Sequence, residues 1–252
     1  MSEKPATRLF VESDLAEGAV VGLSPDHAHF LRSVLRLEPG RWVTLFNGRD
    51  GEWSARIDGI GKGWASLAVG DHLRTQTSCP DVWLYFAPIK RARLDFLVQK
   101  ATELGVRRIQ PVVTQRTIVE RVKGDRLSAN VTEAAEQCER LDLPEICEPV
   151  RLDRALADHP EGRTLVACVE FGDARPIAEV VSELPPGAPV TLLVGPEGGF
   201  TPEERALLEN RTNARFAGLG PRILRAETAG LAALTVWQAL AGDWAESPPK
   251  RA

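Results

Sequence analysis

Two textures of hydrophobic patterning divide the chain. Up to residue 74 the apolar positions fall in strand-length runs: Arg8 to Val11, Ala19 to Leu23, and three more between Arg41 and Val69. The breaks among the last three are Asn47-Gly48, Asp50-Gly51 and Gly61-Lys62-Gly63, residues that supply the positive φ of tight hairpin turns. One helix is predicted within this region, from Pro25 to Leu37, capped by Ser24 and stopped by Pro39-Gly40. Short strands at such regular spacing predict a small β barrel. Residues 75–81 carry no apolar periodicity and read as a linker.

From Val82 the pattern changes to strands alternating with helices, the mark of an α/β domain over 82–245. Val82 to Ala87, Ile109 to Val113, Thr164 to Phe171 and Val190 to Val194 are continuous apolar runs, as strands buried on both faces are. Between them, Leu94, Leu97, Val98, Ala101 and Leu104 share one helical face that ends at Gly105, and a second helix is predicted from Arg126 to Arg140. A last helix, Ala226 to Leu240, is apolar on nearly every side, which predicts burial in the domain or in a subunit interface. Residues 246–252 read as a tail.

Composition adds limits. The 252 residues are 43% hydrophobic and 26% charged, which excludes a disordered chain and allows a sizeable core. Four cysteines, at 79, 138, 147 and 168, form no CxxC pair and predict reduced thiols rather than a disulfide framework or zinc site. No apolar stretch reaches membrane-spanning length and no leader precedes Arg8, so a cytoplasmic protein is expected. Histidines 27, 29, 72 and 159 are too scattered for a triad or metal cluster and read as solvated.

The net charge of −4 argues at first against a nucleic-acid partner. The distribution reverses that. Between Tyr85 and Arg126 ten cationic residues, among them Lys90, Arg91, Arg93, Arg121 and Lys123, face four acidic ones, so the rest of the chain is strongly acidic. Arg32, Arg36 and Arg41 form a second basic cluster. Any one such charge is by default a solvated residue; two clusters, one per predicted domain, point to an RNA or DNA footprint.

Two segments are candidates for chemistry. Gly195-Pro-Glu-Gly-Gly-Phe200 follows an apolar strand, and its glycines allow a ligand close to the backbone, although a tight strand-to-helix turn explains them equally well. Leu219-Gly-Pro-Arg-Ile-Leu-Arg-Ala-Glu-Thr-Ala229 places Ile223 and Leu224 between Arg222 and Arg225 ahead of the apolar helix, a combination suited to an adenine and an anionic or carbonyl-bearing substrate. Pairing of both arginines with surface carboxylates is the alternative. GxxxxGK[ST], HExxH, GxGxxG after a strand and GxSxG are all absent.

Taken together, LDFLVQKATELGV (94–106), EAAEQCER (133–140), LLVGPEGGF (192–200) and LGPRILRAETA (219–229) resemble the RsmE family of 16S ribosomal RNA uridine-N3 methyltransferases, of the SPOUT superfamily. His29 to Gly40 is similar to the family's first domain. Departures are Arg91-Ala92 where members often carry Gly-Asp, and Phe30 where a second histidine is common. The resemblance implies a PUA-like β barrel over 1–74 that binds RNA, a methyltransferase domain over 82–245 with a deep trefoil knot, S-adenosylmethionine as cofactor, no metal, and a homodimer acting on 16S rRNA of the small ribosomal subunit. It places cofactor contacts on Glu170, Phe171, Gly195, Pro196, Glu197, Gly198, Gly199, Leu219, Gly220, Ile223, Leu224, Thr228 and Ala229.

N3 of uridine is an imide nitrogen, so methylation needs removal of its proton and stabilisation of charge on O2 and O4. A guanidinium suits the second task, and Arg225 is the candidate; Glu197 or Glu227 would orient it or take the proton, with bracing of the loop the alternative for Glu197. Lys90, Arg91, Arg93, Arg32 and Arg36 are expected to hold RNA backbone. Two other functions stay open at this point: a methyltransferase for another RNA or atom, and a non-catalytic RNA-binding assembly protein.

Overall fold

In the computed structural model, which describes residues 4–118, 122, 124–170 and 174–246, the strand-length runs of the first 74 residues become one five-stranded sheet. It comprises β1 (Arg8–Phe10), β2 (Val20–Leu23), β3 (Trp42–Phe46), β4 (Glu52–Gly61) and β5 (Trp64–Arg74), in the order β1-β3-β4-β5-β2. β1 runs parallel to β3 and the other pairs are antiparallel. The β4–β5 hairpin turns at Lys62-Gly63, where Gly63 has φ 77°. Register shifts at Glu52/Trp53, Trp53/Ala55 and Ile57/Gly59 mark bulges, which bend a long strand. Among the described residues, no ladder joins β1 to β2.

The helix predicted from Pro25 to Leu37 is shorter. α1 (Pro25–His29) starts on Ser24, whose hydroxyl accepts from the His27 amide, and gives way to a π-helical turn over Phe30–Val34. The Leu35 amide reaches back to the Phe30 carbonyl and Arg36 adopts φ 54°. Phe30, Leu31, Leu35 and Leu37, in and after this turn, all pack on the core of Leu9, Val43, Leu45, Ile57 and Leu67.

Compactness divides the chain after Ser78, with one exception: Ala135–Leu143 belongs to the N-terminal unit. There Arg8, buried, donates to the carbonyls of Ala135 at 2.7 Å and Arg140 at 2.6 Å, ion-pairs with Glu52, and lies 3.6 Å over the Phe46 ring. The first of those carbonyls lies in the last turn of a helix, where no intrahelical donor is available. Phe46, Ala135 and Leu141 form a buried cluster with Phe10 and Leu143 against it. Polar residues dominate 135–143, so the hydrophobic pattern did not reveal this allegiance.

The second unit is an α/β domain. Its strands are β6 (Val82–Phe86), β7 (Arg108–Val113), β8 (Glu145–Ile146), β9 (Val150–Arg151), β10 (Thr164–Cys168), β11 (Arg175–Pro176), β12 (Val190–Val194) and β13 (Ala214–Gly218). They are all parallel, in the order β11-β13-β10-β12-β6-β7-β8, with β9 also on β7. The helices are α2 (Arg91–Glu103), α3 (Gly124–Cys138), α4 (Leu152–Ala157), α5 (Ile177–Ser182), α6 (Pro202–Glu209) and α7 (Ala226–Leu240). Every residue of β12 is buried, as its apolar run predicts. α7 packs on β6, β12, α2 and α5, with Gly230 against Leu84 and Leu97. Strand β13 escaped sequence reading because Arg215 interrupts its few apolar residues.

His159 corrects the expectation of a solvated ring. It is 4% exposed, its Nε2 lies 2.9 Å from the Thr191 hydroxyl, and it stands edge-on to Trp83 and Tyr85. Burial first, then Arg211 and Arg163, push its pKa down to about 4. Between the ordinary histidine value and about 4, the unfolded chain binds a proton that the folded chain refuses, so stability falls as pH drops through that window. The loss should reach about 3 kcal/mol. His159→Gln should flatten the urea-unfolding free energy over this range relative to wild type; parallel pH curves would contradict the assignment.

Candidate functional site

Parallel strands end on one edge of the sheet, and open α/β sheets place ligands there. At this edge a cavity of ≈ 320 Å³ is lined by residues following β10, β12 and β13 and by the start of α7. The two candidate segments, separated in sequence, meet in it. Glu170, Gly195, Pro196, Glu197, Gly198 and Gly199 contribute from the first side, and Leu219, Gly220, Ile223, Leu224 and Ala229 from the second. Thr228 is exposed on α7 and does not line the cavity, and Phe171 lies outside the described residues. Val194, Phe200, Leu208 and Ala226 complete the apolar walls, and Ile223 is 77% exposed at the rim.

The glycine loop is built by its surroundings. Thr201 caps α6: its hydroxyl accepts from the Glu204 amide while the Glu204 carboxylate accepts from the Thr201 amide, a closed capping box. The other Glu204 oxygen accepts from the Gln115 amide at 2.7 Å, which fixes the turn after β7 to the loop. The next residue, Arg116, donates to the Gly198 carbonyl, and its side chain covers Gly198 so closely that a Cβ there would meet Arg116 Cδ at 3.3 Å. Gly199 has φ 68°, a conformation side-chain-bearing residues avoid. Sequence reading missed Arg116 as a wall of the site, because its only signal was membership of a basic stretch.

Cys168, at the end of β10, also lines the cavity; burial pushes its thiol up to about 12, which keeps it protonated and unreactive. All four cysteines are free thiols. Among the described residues, no group of histidine, cysteine and acidic side chains could hold a metal, and no helix is long and apolar enough to cross a membrane.

The charged residues are arranged differently from the expectation. Arg222 and Arg225 are exposed and, among the described residues, neither guanidinium makes a hydrogen bond or ion pair, so the surface-carboxylate alternative fails. Neither Glu197 nor Glu227 orients Arg225. Both carboxylates go to Arg93, whose Nη1 is 3.4 Å from Glu197 and whose Nε is 3.5 Å from Glu227. Glu227 is buried in the first turn of α7, and its Oε2 has no hydrogen-bond partner. Much of the basic stretch is similarly committed: Lys100 to Glu103, Arg108 to Glu145 and Arg126 to Asp95. Lys90 and Arg91 remain exposed without such a partner, as do Arg32 and Arg36 in the N-terminal unit. Glu120, Arg121 and Lys123 lie outside the described residues.

A family described as "RNA methyltransferase domain" matches residues 75–238, and one described as "RNA methyltransferase PUA domain" matches residues 23–67. The ribosomal RNA small subunit methyltransferase E of Rickettsia conorii is 36% identical over 90% of this chain and 93% of its own. The Synechocystis protein of the same name is 32% identical over 93% of this chain and 78% of its own. Among solved structures, a Legionella pneumophila putative methyltransferase with bound SAM superposes with a TM-score of 0.85 at 32% identity, over 94% of this chain and 98% of that one. The ribosomal RNA small subunit methyltransferase E of Neisseria gonorrhoeae bound to S-adenosyl methionine gives 0.81 at 32% identity, over 94% and 99%.

Since Gly199 has open space beyond its Cα, its only obstacle to a side chain is backbone conformation. Gly199→Ala should therefore lower the unfolding free energy by about 1 kcal/mol. An unchanged urea midpoint would mean that the left-handed turn is not maintained.

Proposed function

The chain belongs to the ribosomal RNA small subunit methyltransferase E family, and we propose that it methylates N3 of a uridine in 16S rRNA at the cavity formed by the Gly195–Gly199 and Leu219–Leu224 segments. It is an S-adenosylmethionine-dependent ribosomal RNA methyltransferase with a PUA-like N-terminal domain and a parallel-sheet catalytic domain. The observation that carries the proposal is the meeting of those two segments around one largely apolar cavity, with an unpartnered guanidinium, Arg225, at the adjoining helix start.

The lining fits the cofactor. Leu219, Ile223 and Leu224 offer apolar surface to a purine, and Glu170 a carboxylate to hydroxyl or ammonium groups. Arg116, Arg205 and Arg222 are guanidinium groups suited to a carboxylate. Bound S-adenosylmethionine supplies an electrophilic methyl on its sulfonium. The residues of the chain do the rest. Arg225 donates to O2 or O4 of the base and stabilises the charge left when N3 loses its proton. Glu227 takes that proton; its second oxygen is buried without a partner, whereas Glu197 is half-exposed and braces the loop. The freed N3 pair then forms the N–C bond as the methyl leaves sulfur, and alignment by the surrounding loops supplies much of the rate. The target base reaches the cavity only by leaving its stack.

The finer architecture is part of the same proposal: residues 1–74 as a PUA-like barrel carrying Arg32 and Arg36 to RNA, 75–81 as linker, and 82–245 as a SPOUT domain whose cavity loops belong to a deep trefoil knot. Lys90 and Arg91 would hold phosphate. A homodimer is supported by α7, where Leu231, Ala232, Thr235 and Val236 are only half-buried and Leu240 is exposed, an apolar strip for a second copy. The substrate would be the small subunit in the cytoplasm.

Purified protein incubated with methyl-labelled S-adenosylmethionine and small subunits should yield 3-methyluridine by nucleoside mass spectrometry. Label in another nucleoside would favour a different RNA atom, and cofactor binding without any transfer a non-catalytic role. Arg225→Ala should lower turnover by about 10²–10³-fold, with cofactor affinity by calorimetry nearly unchanged. Near-normal turnover in that variant would remove Arg225 from the mechanism.

A further inference from the structure

Arg93 stands in the first turn of α2, where the helix dipole disfavours a cation. Two carboxylates from distant parts of the chain account for its presence there. Its guanidinium is 3.4 Å from Glu197, in the glycine loop, and 3.5 Å from Glu227, in the first turn of α7. The side chain is 37% exposed, so its outer face is reachable while its Nε is committed inward.

The Glu227 contact is the consequential one. That carboxylate is 8% exposed, and among the described residues Arg93 is the only cation within ion-pair distance of it. A buried carboxylate without a compensating charge is costly, and a lone carboxylate on a two-torsion stem has more than one rotamer available. Oε1 faces Arg93, while Oε2 is shut off from solvent without a hydrogen-bond partner, and Ala226 and Ala229 on the same helix line the cavity. Arg225 takes no part in this arrangement and keeps its donors unspent.

We propose that Arg93 is a positioning residue of the methyl-transfer site, holding Glu227 through one oxygen and the glycine loop through Glu197 so that the carboxylate keeps its place beside the cavity, and that it is not an RNA-phosphate clamp like its neighbours Lys90 and Arg91. The proposal rests on the reading of the cavity as the methyltransferase site. Arg93 and Arg225 then take separate tasks: the first orients the carboxylate, the second meets the base.

The test is a double-mutant cycle in single-turnover methyl transfer at saturating RNA and cofactor, with Arg93→Ala, Glu227→Gln and the double variant, alongside RNA affinity against salt. Arg93→Ala should slow transfer by about 10–100-fold, the range of a misplaced proton acceptor. Its RNA affinity should stay within about twofold, with an unchanged salt slope, since no phosphate contact is lost. The double variant should be no slower than Glu227→Gln, because both changes break one device. Arg93→Lys keeps the charge but cannot reach both carboxylates as a fork, and should recover part of the rate. If Arg93→Ala fails to fold, the same cycle with Arg93→Lys decides. Additive losses would overturn the proposal, as would a salt slope lowered by about one with little change in rate. Wild-type protein runs in the same assay. Absence of wild-type transfer would overturn the reading of the site as well, whereas normal wild-type transfer with additive losses would overturn only the role given to Arg93.

Discussion

The site depends on one buried carboxylate. Glu204 is 4% exposed and divides its oxygens between the amides of Thr201 and Gln115. The first bond closes the capping box and sets the direction in which the chain leaves the glycine loop. The second ties that loop to the turn after β7, and so delivers Arg116 to the Gly198 carbonyl. Cavity walls that come from separate crossings of the sheet are thereby held in one geometry by charge-assisted bonds shielded from water. A glycine loop alone would be too permissive to hold a reacting group in line.

Around this brace the domain follows from simple patterning. Val190–Val194 reads as a buried strand and is; Val82–Ala87 reads the same way and forms Val82–Phe86, buried except at Trp83; Ala226–Leu240 reads as an apolar helix and has those bounds. The two cavity segments were legible because glycine and proline clusters at strand ends are rare unless a turn or ligand needs them. What pattern could not show was pairing. Arg93, Arg116 and Arg126 look alike in a basic stretch, yet each is committed to a different partner far along the chain. Glu204 was silent for the same reason, since its second contact is 89 residues away. The π-helical turn over Phe30–Val34 lay beyond reach too, because the residues that favour an ordinary helix also tolerate the wider one.

Scatter in sequence says nothing about burial: His29 and His72 are exposed, whereas His159 is enclosed. His159 precedes β10 and is drawn under the sheet by Thr191, with Arg211 and Arg163 beside it. Trp83, lying between the guanidinium groups of Arg108 and Arg163, completes a polar–aromatic layer on a face that the apolar strand pattern suggests is purely hydrophobic.

The grip of Arg8 on the carbonyls of Ala135 and Arg140 has a consequence for how this chain comes into being. The N-terminal unit has a main core drawn entirely from residues 9–69, and beside it a smaller cluster of Phe46, Ala135 and Leu141 whose last two members leave the ribosome long after Ser78. A contiguous cut after Ser78 would therefore leave the Arg8 guanidinium without its two carbonyls and expose Phe46, so the unit travels whole only with residues 135–143 attached.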